Sequence, residues 1–186
     1  MKIIMISGKS GSGKDELGVQ LKKTLLTENK SVLTIHFGDA VKFFLKEYYH
    51  WDGNKDEHGR KMLQLLGTEI MRKNYPTYWA ELVAKFVNAT KTSWDYVIIP
   101  DWRFVNELQT MRHFNKDIVT VRINRYEGDV PYINPSLTEA QAQHISECEL
   151  DDYSFDWYVD NDGGLTDLQN SAKELLKEIA NATTRT

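Results

Sequence analysis

The chain has 186 residues, with 23 Lys and Arg against 27 Asp and Glu, for a formal net charge of −4. That size suits one domain, 1–186, and that balance argues against a protein that holds nucleic acid or an acidic membrane by bulk charge. The single cysteine, Cys148, excludes an intrachain disulfide and fits a reducing, cytoplasmic setting.

The chain opens on an apolar run at 2–6 that reads as a buried strand, and a helix is expected at 14–28. A second strand is expected at 32–36, then helices at 39–50, 58–73 and 76–90. A third strand at 95–100 leads to a helix at 103–114, and a fourth strand comes next at 118–123. The stretch 125–146 is polar and carries Gly128, Pro131 and Pro135, so it reads as a surface loop or lid. A fifth strand at 155–159 and a helix at 164–181 close the chain, with Asn181 to Thr186 expected to fray. Strands alternating with helices argue for an α/β fold, a parallel sheet covered on both faces. No period of 20–50 residues repeats. No apolar run approaches the roughly 20 residues of a membrane span.

The densest signal is Gly8-Lys9-Ser10-Gly11-Ser12-Gly13-Lys14-Asp15. Its G-x-x-x-x-G-K spacing falls between a strand and a helix, the context a phosphate-binding loop requires. Small residues let successive backbone N–H groups converge on phosphate oxygens, and the helix N-terminus adds partial positive charge. Lys14 would reach the β- and γ-phosphates. Asp15 stands where Ser or Thr usually ligates Mg²⁺. It either contacts the ion, directly or through its waters, or is a helix N-terminal acid with no metal role.

Residues downstream of the loop separate the classes of protein that carry one. A switch GTPase needs Asp-x-x-Gly after a buried strand, and here Asp101 is succeeded three residues on by Phe104. Asn54-Lys55-Asp56-Glu57 and Asn115-Lys116-Asp117-Ile118 fail the Asn-Lys-x-Asp pattern at its last position. Of seven Arg, six lie between positions 60 and 125. That placement points to a donor and an acceptor held together by bidentate phosphate clamps. Arg60 and Arg72 are twelve apart, so on a regular helix they diverge by about 120° and would border one cleft without sharing a stripe. Arg122 and Arg125 sit at the end of the fourth strand, where open α/β sheets bind ligands. Asp101 ends the third strand, the usual place for the acid that organises Mg²⁺. Trp102 and Phe104 either stack on a base or belong to the core, and Asn106 and Glu107 read as caps of the next helix. His144-Ile145-Ser146-Glu147 offers either a lid-closing, phosphate-sensing pair or a simple Ser146 helix cap.

Taken together, these blocks resemble the phage-type deoxynucleoside monophosphate kinases. The phosphate loop with Asp15 after Lys14, Phe37-Gly38-Asp39-Ala40, and Arg60-Lys61-Met62-Leu63-Gln64-Leu65-Leu66-Gly67-Thr68-Glu69 with Arg72 match that family in order. So do Asp101-Trp102-Arg103-Phe104-Val105-Asn106-Glu107, His144-x-Ser146-Glu147 and Asn161-Asp162-Gly163-Gly164-Leu165. Gly38, Ala40 and Trp102 depart from the usual pattern. The resemblance implies a P-loop NTPase three-layer sandwich. It would have a five-stranded parallel sheet, an acceptor-binding insertion at 39–92 and a lid at 125–146. It implies ATP and a deoxynucleoside monophosphate (dNMP) as substrates, Mg²⁺ as cofactor, no nucleic acid or membrane partner, and a monomer or homodimer. Gly8 to Asp15 would cradle the ATP phosphates. Asp39, Arg60, Gln64, Arg72, Asp101, Trp102 and Arg103 would surround the acceptor. Arg122 and Arg125 would bridge the transferring phosphoryl beside Lys14 and Asp101, with His144 and Glu147 in the lid and Asp15 and Asp101 near the metal. The competing expectations are another small-molecule kinase, such as a phosphomevalonate kinase, and a non-catalytic nucleotide-binding module.

Overall fold

A computed structural model describes residues 1–183. Five parallel strands form one sheet: β1 Lys2–Ser7, β2 Val32–Thr34, β3 Tyr96–Ile99, β4 Ile118–Asn124 and a last strand, Trp157–Asp160. A separate two-stranded hairpin, β5 Tyr126–Glu127 with β6 Val130–Pro131, makes the last sheet strand β7. The sheet order is β2-β3-β1-β4-β7.

The apolar runs are continuous because the sheet is buried on both faces. In β1 the alternation is visible residue by residue. Ile4 and Ile6 pack under Leu17, Leu21 and Leu25 of α1 (Lys14–Thr27) and Leu168, Ala172, Leu175 and Ile179 of the C-terminal helix. Ile3 and Met5 face the other way, onto α4 (Tyr78–Ala89) and α5 (Val105–Phe114). These helices make the three layers. β1 lies between β3 and β4, so the chain leaves β1 at the point where the strand order reverses. That point opens the crevice in which doubly wound sheets bind ligands.

Between β2 and β3 lie α2 (Asp39–Tyr49), α3 (Glu57–Gln64) and a π-helix, Leu65–Arg72. They enclose a small core of Val41, Leu45, Trp51 and Trp79. α4 straddles both regions, with Trp79 in this small core and Ala80, Val83, Ala84 and Val87 against the sheet.

Three expectations change. The helix expected at 58–73 is α-helical only to Gln64 and widens into the π-helix beyond it. The buried indole of Trp79 donates to the Gly67 carbonyl at 3.0 Å, and a side chain that takes a ladder carbonyl disturbs the ladder there. The lid stretch 125–146 is not bare loop. It holds the β5–β6 hairpin with Gly128 at positive φ in its turn, α6 (Glu139–Ala142) capped by Thr138, and the first residues of α7 (Ile145–Cys148). Two-residue strands are too short to show a period. The C-terminal end expected to fray from Asn181 remains helical, as α8 runs Leu165–Thr183, while 184–186 lie outside the described residues. Among the described residues, no helix is long and apolar enough to cross a membrane.

Candidate active site

The phosphate loop comes directly after β1 and caps α1. Gly13, at φ 98°, occupies the N-cap of α1 in the left-handed region that glycine tolerates. A Cβ there would collide with Nδ2 of Asn161, which itself donates to the Ser12 carbonyl at 2.9 Å. Gly8 has no room either, since a Cβ would come within 2.7 Å of the Ile123 carbonyl on β4. Lys14 is buried, and its Nζ lies 3.3 Å from the Lys9 carbonyl. Burial, and then the nearby Arg103 charge, pull its pKa down to about 8. The hydroxyl of Ser12 is buried with no protein partner. From the lid, Asn134 Nδ2 donates to Ser10 Oγ at 3.0 Å, and Arg125, over the ring of Tyr132, donates to the Gly11 carbonyl at 3.3 Å.

A second group sits just past β2, between the first turns of α1 and α2. His36 Nε2 lies 3.5 Å from Asp15, and its Nδ1 lies 3.2 Å from Asp39. Burial disfavours the imidazolium, but bonds to Asp15 and Asp39 outweigh it and raise His36 to about 9. The bond from His36 holds Asp15 below the usual carboxylate range against its own burial. Burial also works against the Asp39 charge, yet bonds from His36 and Lys42 hold it well below that range. Asp101 accepts the backbone N–H groups of Phe37 and Gly38, each at 2.9 Å, and so ties the end of β3 to the turn before α2.

The wall opposite the phosphate loop is built from α3 and the π-helix. Arg60, Gln64, Thr68 and Arg72 all line one cleft of about 410 Å³ with Ser10, Gly11, Lys14, Asp15, Asp101 and Arg103. The regular-helix geometry that separates Arg60 from Arg72 therefore does not apply. A π-helix bonds i to i+5, so each residue advances by less than 100° and the four-residue spacing keeps its face. Arg72 Nη2 pairs with buried Glu107, and its guanidinium lies 4.0 Å from the Phe104 ring centroid. Arg60 Nη2 donates to Ser136 of the lid at 2.9 Å. Arg60 Nε and Arg72 Nη1 are buried without a protein partner.

The lid closes the arrangement. Glu147 Oε2 accepts the Ser10 N–H at 2.9 Å, and its Oε1 pairs with Arg103, which also donates to the Ser146 carbonyl at 2.8 Å. Lys9 Nζ reaches the Glu147 carbonyl at 2.8 Å and Asp151 at 2.5 Å. His144 caps α7 and lies 3.1 Å from Glu69 on the π-helix, so it faces the insertion and not the reacting side of the cleft.

Other residues expected at the site lie off the cleft wall. Trp102 presents no face to the cleft. It is fully buried, donates to the Phe104 carbonyl at 2.7 Å and packs edge-on against Tyr153 and Phe155. Trp102 lies three residues past the end of β3, where the chain turns it back into the core against Tyr153 and Phe155. Arg122 is held by Asp151 at 3.1 Å and Ser7 Oγ at 3.4 Å over the Phe155 ring, Arg125 stays on the loop backbone, and Asp39 meets the cleft through His36 and Lys42. Conversely, His36, Lys55, Glu107 and Asn134 line the cleft without having been expected there. His36 ends a strand run and Asn134 sits in the polar lid, so neither carries a motif. Glu107 is legible as a helix-capping acid, and its pairing with Arg72 spans 35 residues.

Residues 51–172 match the model of the family described as deoxynucleotide monophosphate kinases. The chain belongs to that family. The match starts downstream of the phosphate loop, and the fold of the whole chain is supported by solved structures. A gluconokinase from Sinorhizobium meliloti is 17% identical over 100% of this chain and 97% of its own, with a TM-score of 0.56. A sugar kinase from Janibacter sp. is 13% identical, covers 95% of both chains and has a TM-score of 0.56. An APS kinase of Mycobacterium tuberculosis, solved with AMPPNP and APS, is 14% identical over 95% of this chain and 97% of its own, at a TM-score of 0.51. These similarities fix the P-loop kinase fold. A search of curated proteins gave no match.

Proposed function

We propose that the chain transfers the γ-phosphoryl of ATP to a deoxynucleoside 5′-monophosphate, giving dNDP and ADP. The observation that carries this reading is the cleft itself. One wall is a backbone cradle with buried Lys14, and the other presents Arg60 and Arg72 with buried, unpartnered guanidinium nitrogens. Buried donors without partners are costly, and an anionic acceptor satisfies them. Membership of the family supports the nucleotide monophosphate as that acceptor.

The acceptor is already an anion, so the chemistry needs no strong base. Positioning and charge neutralisation supply the rate. Lys14 would neutralise the β- and γ-phosphates, and the polyphosphate would restore the full charge that burial disfavours. Gly11 and Gly13 would offer backbone N–H groups, and Arg103 would lie between donor and acceptor. Asp15 on the cleft wall and Asp101 at the end of β3 fit Mg²⁺, which takes one or two carboxylates and completes its shell with phosphate oxygens and water. When bound, that ion supplies further neutralisation of the phosphates. The lid contacts from Asn134, Ser136 and Glu147 would hold water away from the transferring group and suppress ATP hydrolysis.

A coupled ADP-release assay over the four dNMPs, modified pyrimidine dNMPs and phosphomevalonate tests the proposal. Turnover with at least one dNMP and none with phosphomevalonate is expected. ATP binding with no acceptor-dependent ADP release would instead identify a binding module.

A further inference from the structure

Glu107 has no part in the transfer as proposed, yet it is the most deeply buried carboxylate on the cleft, at 1% exposure. Its Oε1 takes Arg72 from the π-helix. Its Oε2 accepts the N–H of Arg103 at 2.9 Å and of Phe104 at 3.0 Å. One carboxylate thus fixes two cations of the acceptor wall, one by its side chain and one by its backbone. Arg72 is held between this carboxylate and the Phe104 ring, and its Nη1 is buried without a protein partner. Arg103 is fixed at its far end by Glu147.

We propose that Glu107 is a positioning residue that aims Arg72 and Arg103 together at the acceptor phosphate. This deepens the proposed reaction and rests on it. A helix cap accounts for only half of what Glu107 does. Capping the start of α5 needs an oxygen acceptor, which a neutral amide side chain also provides. Arg72 is the largest of the influences that favour the negative charge, and an ion pair this buried is kept at a desolvation cost that a purely structural contact could avoid with apolar groups.

The charged groups that face Glu107 are Arg72 from the π-helix and Asp101 and Arg103 from the loop after β3. Burial first, with some help from Asp101, pushes it up to about 7, while Arg72 and the two N–H groups pull it down. Below that pH the carboxyl is protonated and releases Arg72 from its fixed orientation. Above it the pair is formed.

Glu107→Gln retains the shape and the acceptor oxygen for the two N–H groups but turns a donor toward Arg72. The expected result is an acceptor KM raised about tenfold or more, a lowered kcat, and an ATP KM within about twofold of wild type. The acid limb in kcat/KM for the acceptor should shift from near pH 7 toward the one set by the acceptor phosphate's own second ionisation, at about 6. In an Arg72→Ala background the same substitution should add little to the acceptor KM, because the two residues act as one unit. Glu107→Asp retains the charge on a shorter stem and should fall between wild type and Glu107→Gln, which keeps the test open if the amide variant does not fold. Folded variants with the wild-type acceptor KM and an unchanged acid limb would overturn the assignment. If the wild-type chain itself phosphorylates no dNMP, the functional reading falls first. If it does and the variants match it, only the role of Glu107 falls.

Discussion

The two walls of the cleft are made differently. The wall proposed to hold the donor is main chain: a glycine-rich turn pressed against β4, with its carbonyls and N–H groups held by Asn161, Arg125 and Glu147. The acceptor wall is side chain: Arg60, Arg72 and Arg103, each held by a partner that is distant in sequence. A main-chain wall recognises what all nucleotides share, the polyphosphate. A side-chain wall can be retuned one residue at a time, so it is where substrate choice can change without loss of the donor site.

This contrast can be broken most directly at Lys14, the buried cation of the donor wall. Lys14→Ala should lower kcat by at least about two orders of magnitude with the fold intact, as seen in single-turnover rates and thermal melting. An effect of only a few-fold would mean that the backbone cradle carries the donor alone. Next in size, Arg72→Ala should raise the acceptor KM by about ten- to hundredfold while the ATP KM moves by no more than about threefold. Equal changes in both would mean that the walls are not separate. Trp102→Phe sharpens the boundary from the core side. It removes the bond to the Phe104 carbonyl and should cost about 1 kcal/mol of stability in urea melts, with both KM values unchanged. A changed acceptor KM would return Trp102 to the base site.

The smallest expected effect is a drift with pH. His36 is raised to about 9 from an ordinary value of 6.5, so the protonated form is favoured in the folded chain. Its contribution to stability is fully present below about pH 6.5 and is lost as pH rises through 9. The stability gap between wild type and His36→Asn should shrink over that window. A gap that is constant with pH would show that the two carboxylates do not hold the proton.

The core elements were legible because their physics is local. The apolar runs at 2–6 and 118–123 lie within β1 and β4, and the phosphate loop needs only its own eight residues. The features that were not legible depend on partners far along the chain. Glu107 looks like a cap until Arg72 is seen beside it, and Trp102 looks like a stacking platform until Tyr153 and Phe155 close over it. The shared face of Arg60 and Arg72 could not be inferred from spacing, because the wider turn depends on an indole in the next helix.

That wide turn has a consequence for chain length. An i to i+5 turn holds one residue more than an ordinary helix needs to cover the same rise. Removing one residue between Leu65 and Glu69 would let the segment relax to a regular helix, leaving Gly67 without its bond from Trp79 and swinging Arg72 away from Glu107. The segment is thus sensitive to counting as well as to identity: a single-codon deletion there, with every arginine retained, would disarm the acceptor wall.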